Sequence, residues 1–253
     1  MIYSSHTNSL RHITDLIKAK LELGKSFEKL SSGMKINRAS DDPAGLVISE
    51  QMRARIGEIS QLIRNIEYQN NKYTVAESGL AAMQVNLQEI RNVALAASDE
   101  GAVTDDMRTA YQTVVNRNIE GFNNIIKNTS FGTQALLDGS EGSVADIKEL
   151  DNLDITDPEQ ARLAVGIIDE KINEILNLRG EIGAKQKYQF GSQKSNLQTE
   201  LINLTAAESS IRDTDMAREY ANMVSYEIKL KAGMSLLAHR HLLSGFLVNI
   251  IAR

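Results

Sequence analysis

The chain has no cysteine and no tryptophan, two prolines in 253 residues, and aromatic side chains at only 5% of positions. Without cysteine there is no disulfide framework, no thiolate metal site and no thiol nucleophile. That absence fits reducing and extracellular settings alike. So few prolines and aromatics suit long, thin helical packing better than a thick globular core. No stretch approaches about 18 apolar residues without charge, so neither a transmembrane helix nor membrane insertion is expected. The apolar run from Leu242 to Ile251 is too short to span a bilayer. The first residues, Met1 to Ser9, lack the basic stretch followed by roughly 7–15 apolar residues that marks a secretory signal. A protein built this way leaves the cell, if it does, by a route other than general secretion.

Catalytic patterns are also missing. The four histidines, His6, His12, His239 and His241, have no HExxH spacing, and neither Gly-x-Ser-x-Gly nor a phosphate loop occurs. The carboxylates fall mostly at solvent-facing helix positions, and Tyr73 and Met83 sit where a helix core is expected. The expectation is therefore no enzyme and no cofactor. Charge is uneven: residues 1–40 carry seven Lys/Arg against three Asp/Glu, and residues 96–170 carry five against fifteen, a net of 5 − 15 = −10. A basic end raises the question of nucleic acid. Only Phe27 falls among those lysines, too little for the row of aromatics a stacking platform requires, so nucleic acid is set aside.

What is present is apolar residues at helical spacing. Ile13, Leu16, Leu23, Phe27, Leu30 and Met34 recur in steps of three and four, interrupted by Lys20, as in a helix that lies against other helices. Near the other end Met223, Ile228, Leu236, Leu237, Leu243, Leu247 and Ile250 leave hardly a polar face. Burying six such residues at about 2 kcal/mol each yields roughly 12 kcal/mol, available once a partner covers them. The ends are expected to be mobile in isolation and ordered in an assembly.

Both prolines punctuate the chain. Asp42-Pro43 and Asp157-Pro158 each place an acidic N-cap before a proline at the first helical position. A helix is predicted from Pro43 to about Ala97, with one register slip between Ile66 and Tyr73. A second runs from Thr104 to Lys127, with Gly132 at or near its C-cap. Residues 131–157 read as turns with one short hairpin. A third helical pattern runs from Pro158 to Ile211, Arg212-Asp213-Thr214-Asp215 is a polar break, and a terminal helix follows to about Ile251. The fold class expected is all-α in the main: an elongated antiparallel helical bundle or coiled coil with a short hairpin or turn region at its tip. Two arms fold back near residues 130–157 and the ends meet again. Asp41, Asp42 and Pro43 then lie level with Arg212, Asp213 and Asp215, marking a joint. It divides an inner domain of residues 1–42 and 213–253 from an outer bundle of 43–212 with its connector at 131–157.

The run from Leu30 to Arg53, which contains Ser-Ser-Gly-Met-Lys-Ile-Asn-Arg-Ala-Ser-Asp-Asp-Pro-Ala-Gly-Leu, resembles the N-terminal signature of bacterial flagellins. Leu87-Gln-Glu-Ile-Arg-Asn-Val-Ala94, Thr129-Ser-Phe131, Leu136-Leu-Asp-Gly139 and Ser209-Ser-Ile-Arg-Asp-Thr-Asp-Met-Ala217 are similar too. The resemblance covers residues 1 to about 139 and about 160 to 253, a minimal form without the family's variable outer domains. It implies a filament subunit whose terminal helices form an inner tube and whose outer bundle makes lateral contacts. It implies export through the flagellum's own channel to an extracellular filament. The implied partners are further copies of the chain, an export chaperone at the C-terminal helix, and the hook-associated and cap proteins. A junction protein between hook and filament shares Pro43 and remains an alternative. An unrelated coiled-coil signalling module is another.

Two departures from the family pattern follow. Leu237-Ala-His239-Arg240-His241-Leu-Leu243 replaces a stretch rich in Ala, Asn and Gln. If it lines the channel, Arg240 makes the wall more cationic; otherwise Arg240 snorkels at a surface. His239 and His241, two apart, occupy different helix faces and do not chelate a metal. Flagellins sensed by the flagellin-recognising Toll-like receptor carry an arginine, a leucine and a downstream glutamate. This chain has Glu89, Val93 and Gly121 at those places, with Arg91 retained. A reversed interface charge costs several kcal/mol, so weak receptor recognition is expected.

Overall fold

A computed structural model describes the backbone of residues 2–101 and 103–251, and the side chains of residues 11–101 and 103–239. Its elements are α1 (Ile2–Ser32), α2 (Pro43–Ala97), α3 (Asp105–Asn128), β1 (Ser130–Phe131), β2 (Gln134–Ala135), α4 (Pro158–Ala184), a π-helical turn (Lys185–Phe190), α5 (Gly191–Arg212) and α6 (Met216–Ile251). The fold is mainly helical, as the composition implies. The chain parts into two compact units, residues 1–58 with 200–253, and residues 59–199.

Helix starts follow from capping chemistry. Asp42 accepts from the Gly45 N–H at 2.9 Å, and Asp157 accepts from Glu159 at 2.8 Å ahead of Pro158. Each proline occupies a position whose N–H would have no partner anyway. Thr104 caps α3 through the Met107 N–H. The exposed carbonyls at the end of α2 are met by a side chain rather than by glycine. Arg108, only 6% exposed, donates to Ala97 O at 3.3 Å and Asp99 O at 3.1 Å. Its third contact is the Asp105 carboxylate at 3.0 Å.

The second unit holds the larger core. Leu80, Met83, Leu87 and Ile90 of α2 pack with Val115, Ile119, Phe122 and Ile126 of α3 and Ile168, Ile175 and Ile182 of α4. The hairpin pairs Ser130 with Ala135 and Phe131 with Gln134. Gly132 lies in its turn at φ +66°, so α3 ends instead at Thr129, and the C-cap role expected for this glycine is corrected. Residues 136–157 are more than an acidic connector. Leu136, Leu137, Ile147, Leu150, Leu153 and Ile155 are buried in the same core. Leu136, Leu137 and Ile147 bond through their own backbone, Ile147 N donating to Leu137 O at 3.1 Å, and two carboxamides of α3 serve the backbone of residues 150–155. Gln112 donates to Leu153 O and accepts from Ile155 N, both at 2.7 Å. Asn123 donates to Leu150 O at 3.0 Å and accepts from Leu150 N at 2.8 Å. Each amide mimics one rung of a β-ladder.

One row of less exposed residues on α2 steps by alternating fours and threes from Met52 to Ala97 with one exception. At Asn70, Tyr73 and Ala76 two threes follow in succession. On the α4–α5 side, Ile182, Gln186, Phe190 and Lys194 are separated by three successive fours, and the excess is taken up by the π turn. The two irregularities face each other. Tyr73 and Phe190 meet edge to face with centroids 5.1 Å apart, and Gln186 donates to Thr74 Oγ1 at 3.0 Å. The slip expected between Ile66 and Tyr73 falls instead between Tyr73 and Ala76, and the wide turn opposite it was not expected.

Candidate functional site

In the first unit α1 lies against α6. One row of less exposed residues on α1 is Leu16, Ala19, Leu23, Ser26 and Leu30, and one on α6 is Glu219, Met223, Tyr226, Leu230, Gly233 and Leu237. Both sets alternate by threes and fours, the spacing of a coiled-coil seam. Ser26 Oγ donates to Glu219 Oε1 at 2.5 Å. Gly233 lets the backbones approach, since a Cβ there would stand 2.4 Å from Leu16 Cδ2. Part of the apolar surface is thus covered within a single chain, which the sequence reading had left to neighbouring molecules.

The terminal residues singled out from the sequence fall on two faces. Leu16, Leu23, Leu30, Met223 and Leu237 belong to the α1–α6 seam. Ile13 and Phe27 point away from it, at 43% and 62% exposure, and with Ile17 and Leu21 they form a second apolar stripe roughly a third of a turn around α1. Ile228 and Leu236 are likewise exposed on α6. Met34 is corrected: it lies beyond the end of α1, and its sulfur accepts from Arg212 Nε at 3.2 Å. Leu243, Leu247, Ile250, Arg240 and His241 have side chains outside the described residues. His239 is exposed and lines, with His12, Asp15 and Lys229, the rim of an apolar groove of about 570 Å³ floored by Leu16 and Gly233. No group of three metal-ligating side chains occurs among the described residues.

Residues 33–45 and 209–218 are knitted into one clasp. Gly33, at φ +72°, turns the chain out of α1, and Met34 forms a β-bridge with Asp213. Lys35 N donates to Arg212 O at 2.6 Å and Thr214 N to Gly33 O at 2.9 Å. Arg212 reaches Glu50 at 2.6 Å and holds that carboxyl below its usual value. Asp213 accepts from Ser209 Oγ at 2.6 Å, and Asp215 caps α6 through Arg218 N at 3.1 Å. Asp42 Oδ2 and Ile36 Cδ1 crowd Gly45, whose absent side chain lets the turn close. Asp41 accepts from Arg38 N at 2.9 Å and Asn37 N at 3.1 Å, and these two N–H groups, Arg38 first, hold its carboxyl below the ordinary carboxylate value. A depressed folded value means that this contribution is full above about pH 4, the unfolded value, and is lost as pH falls through the folded one. Amide exchange at Asn37 and Arg38 should therefore accelerate relative to Ile36 on acidification from about pH 5 to pH 2. An unchanged ratio would show that the carboxylate does not hold the turn.

The four residues read against receptor sensing sit on two helices of the second unit. Glu89 is exposed on α2, Val93 packs against the core, and Gly121 of α3 faces Asn86. Arg91 is engaged by Asp169 at 2.5 Å, which raises its pKa chiefly through that hydrogen bond.

Two family models match the chain: the bacterial flagellin N-terminal helical region over residues 4–142 and the bacterial flagellin C-terminal helical region over residues 165–249. A flagellin of Halalkalibacterium halodurans is 36% identical over 236 residues, covering 85% of this chain and 86% of that protein. The flagellar filament 33 kDa core protein of Treponema phagedenis is 29% identical over 94% of this chain and 95% of its own length. Bacillus subtilis flagellin is 29% identical over 85% and 88%. The signature around the clasp, the seamed terminal helices and these matches lead to one conclusion: the chain belongs to the bacterial flagellin family.

Proposed function

We propose that this chain is a structural subunit that polymerises with copies of itself into the extracellular filament of the bacterial flagellum. The observation that carries the reading is the apolar stripe Ile13, Ile17, Leu21 and Phe27, left exposed on a helix whose seam face, about a third of a turn away, is already paired. Such a stripe lowers the free energy only when another molecule covers it. The relatives named filament core proteins support the same reading. Residues 1–42 and 213–253 would form the inner tube and 43–212 the outer bundle, an open heterologous assembly rather than a closed ring. The chain travels unfolded through the flagellar export channel, with a chaperone masking its C-terminal helix, and meets hook-associated and cap proteins at the growing end. Its function is mechanical and calls for no cofactor.

Purified chain, seeded with sheared filament fragments, should form sedimentable helical polymers. Protease cleavage within α1 and α6 should be rapid in the unpolymerised chain and suppressed in the polymer. A stable dilute dimer that ignores seeds and resists cleavage would favour a coiled-coil signalling module instead. The same surface chemistry supports weak Toll-like receptor recognition, because Glu89 presents a negative charge and Arg91 is occupied by Asp169. A strong reporter-cell response to purified monomer at ordinary flagellin doses would refute this second reading.

A further inference from the structure

The π turn Lys185–Phe190 holds one residue more than an α-helix needs, with the Gly191 N–H donating five residues back to Gln186 O. None of its residues is buried, and α5 beyond it also buries none. The attachments of the turn and the start of α5 to α2 are few: the Tyr73–Phe190 ring contact, Lys185 Nζ 5.7 Å from the Tyr73 ring centroid, Gln186 to Thr74, a 3.4 Å bond from Gln186 to Asn70 O, and the ion pair of Lys194 with Glu67 at 2.8 Å. Two clefts flank the Phe190 ring and share Ile66 as a wall. One, of about 350 Å³, is lined by Asn70, Gln186 and Lys194; the other, of about 490 Å³, by Gln69, Gln193 and Leu197. Space on both sides of an aromatic anchor, beside an extra residue, is the arrangement a helix needs to change register without melting.

We propose that the π turn is a movable register reserve. Migration of the wide turn toward the C-terminus carries each residue it passes one helical site onward, about 1.5 Å along and 100° around the axis. Phe190 then exchanges one cleft for the other, and Ser192 enters the site that Gln193 occupies. No hydrogen bond is lost in number, because the five-residue bonds simply move along the helix. The result is two surfaces from one sequence on the segment Gly191–Leu197. The shortened step at Asn70, Tyr73 and Ala76 of α2 lies opposite, so neither register is a perfect match and neither is strongly favoured. This is a property of the single chain and stands whether or not the filament reading holds.

The natural absence of cysteine makes the test direct. Gln69→Cys is combined with either Gln193→Cys or Ser192→Cys, each in the full-length chain and in a variant with Tyr188 deleted. Tyr188 is the most exposed aromatic of the turn, and its removal leaves an uninterrupted α-helix in the first register. The Gln193 pair should oxidise to a disulfide in both backgrounds. The Ser192 pair should oxidise in the natural-length chain, as a minor state, and at least about tenfold more slowly after the deletion. Equal Ser192 rates in the two backgrounds, or no Ser192 disulfide where Gln193 reacts, would overturn the proposal. Should the deletion unfold the protein, hydrogen exchange on the unmodified chain decides. Amides of Gly191–Leu197 should exchange together and faster than those of Ile172–Leu178, and equally slow exchange would overturn the idea.

Discussion

Phe122→Ala is expected to destabilise the second unit by about 3–5 kcal/mol, the range for truncating a fully buried phenylalanine. Phe122 is among the largest side chains with no solvent exposure, and it joins the cluster shared by α2, α3, α4 and residues 136–155. Several elements converge there, so no single one can collapse into the void. The cost should lie toward the upper end of that range. For a unit of this size the melting temperature should fall by about 10 °C or more, read from far-ultraviolet circular dichroism. Phe122→Leu, which keeps most of the volume, should cost about 1 kcal/mol. A loss of only about 2 °C for the alanine variant would mean that the cluster is far looser than its burial implies.

The second large effect separates the two faces of α1. Phe27→Asp alters a side chain that is mostly exposed in the single chain, so helicity and melting should stay within about 0.5 kcal/mol of the parent. Polymerisation should nevertheless be abolished, because the carboxylate would have to be buried without a partner when another copy arrives. Leu23→Asp should also abolish polymers but for a further reason. It puts the same charge inside the α1–α6 seam, and the terminal helices should separate even in the monomer. Sedimentation measures the first property, and protease sensitivity of α6 measures the second. Normal filaments from Phe27→Asp would remove the outward stripe from the assembly surface; α6 cleavage no faster in Leu23→Asp than in the unpolymerised parent would remove Leu23 from the seam.

These two substitutions also mark where sequence reading stopped. Ile13, Leu16, Leu23 and Phe27 all obey a three–four spacing, because α1 is apolar on two sides. Spacing alone does not say which side its own chain covers. Pro43 and Pro158 were legible because each follows an aspartate that caps the helix, two signals coinciding at one place. The hairpin was legible from its polar, glycine-containing setting. The buried row Leu150, Leu153 and Ile155 was not, since its steps of three and two match neither a helix nor a strand. Gln112 and Asn123 gave no sign of their task, being ordinary polar residues on an amphipathic helix. The π turn escaped for a similar reason: Gln186, Phe190 and Lys194 step by four, which an α-helix also permits. The clasp residues were named from the folding back of the two arms, whereas their hydrogen bonds left no mark in the sequence.

The amide grips of Gln112 and Asn123 carry an evolutionary corollary. They seize peptide groups of the segment rather than its side chains. Outward positions such as Asp151 and Asn152 are therefore free to drift in identity while the segment stays moored. The moorings have no such licence: glutamate at 112 or aspartate at 123 would keep the shape, forfeit the donor, and set a negative oxygen against a carbonyl. Natural variation in this region should thus be plentiful along the rope and scarce at its two cleats.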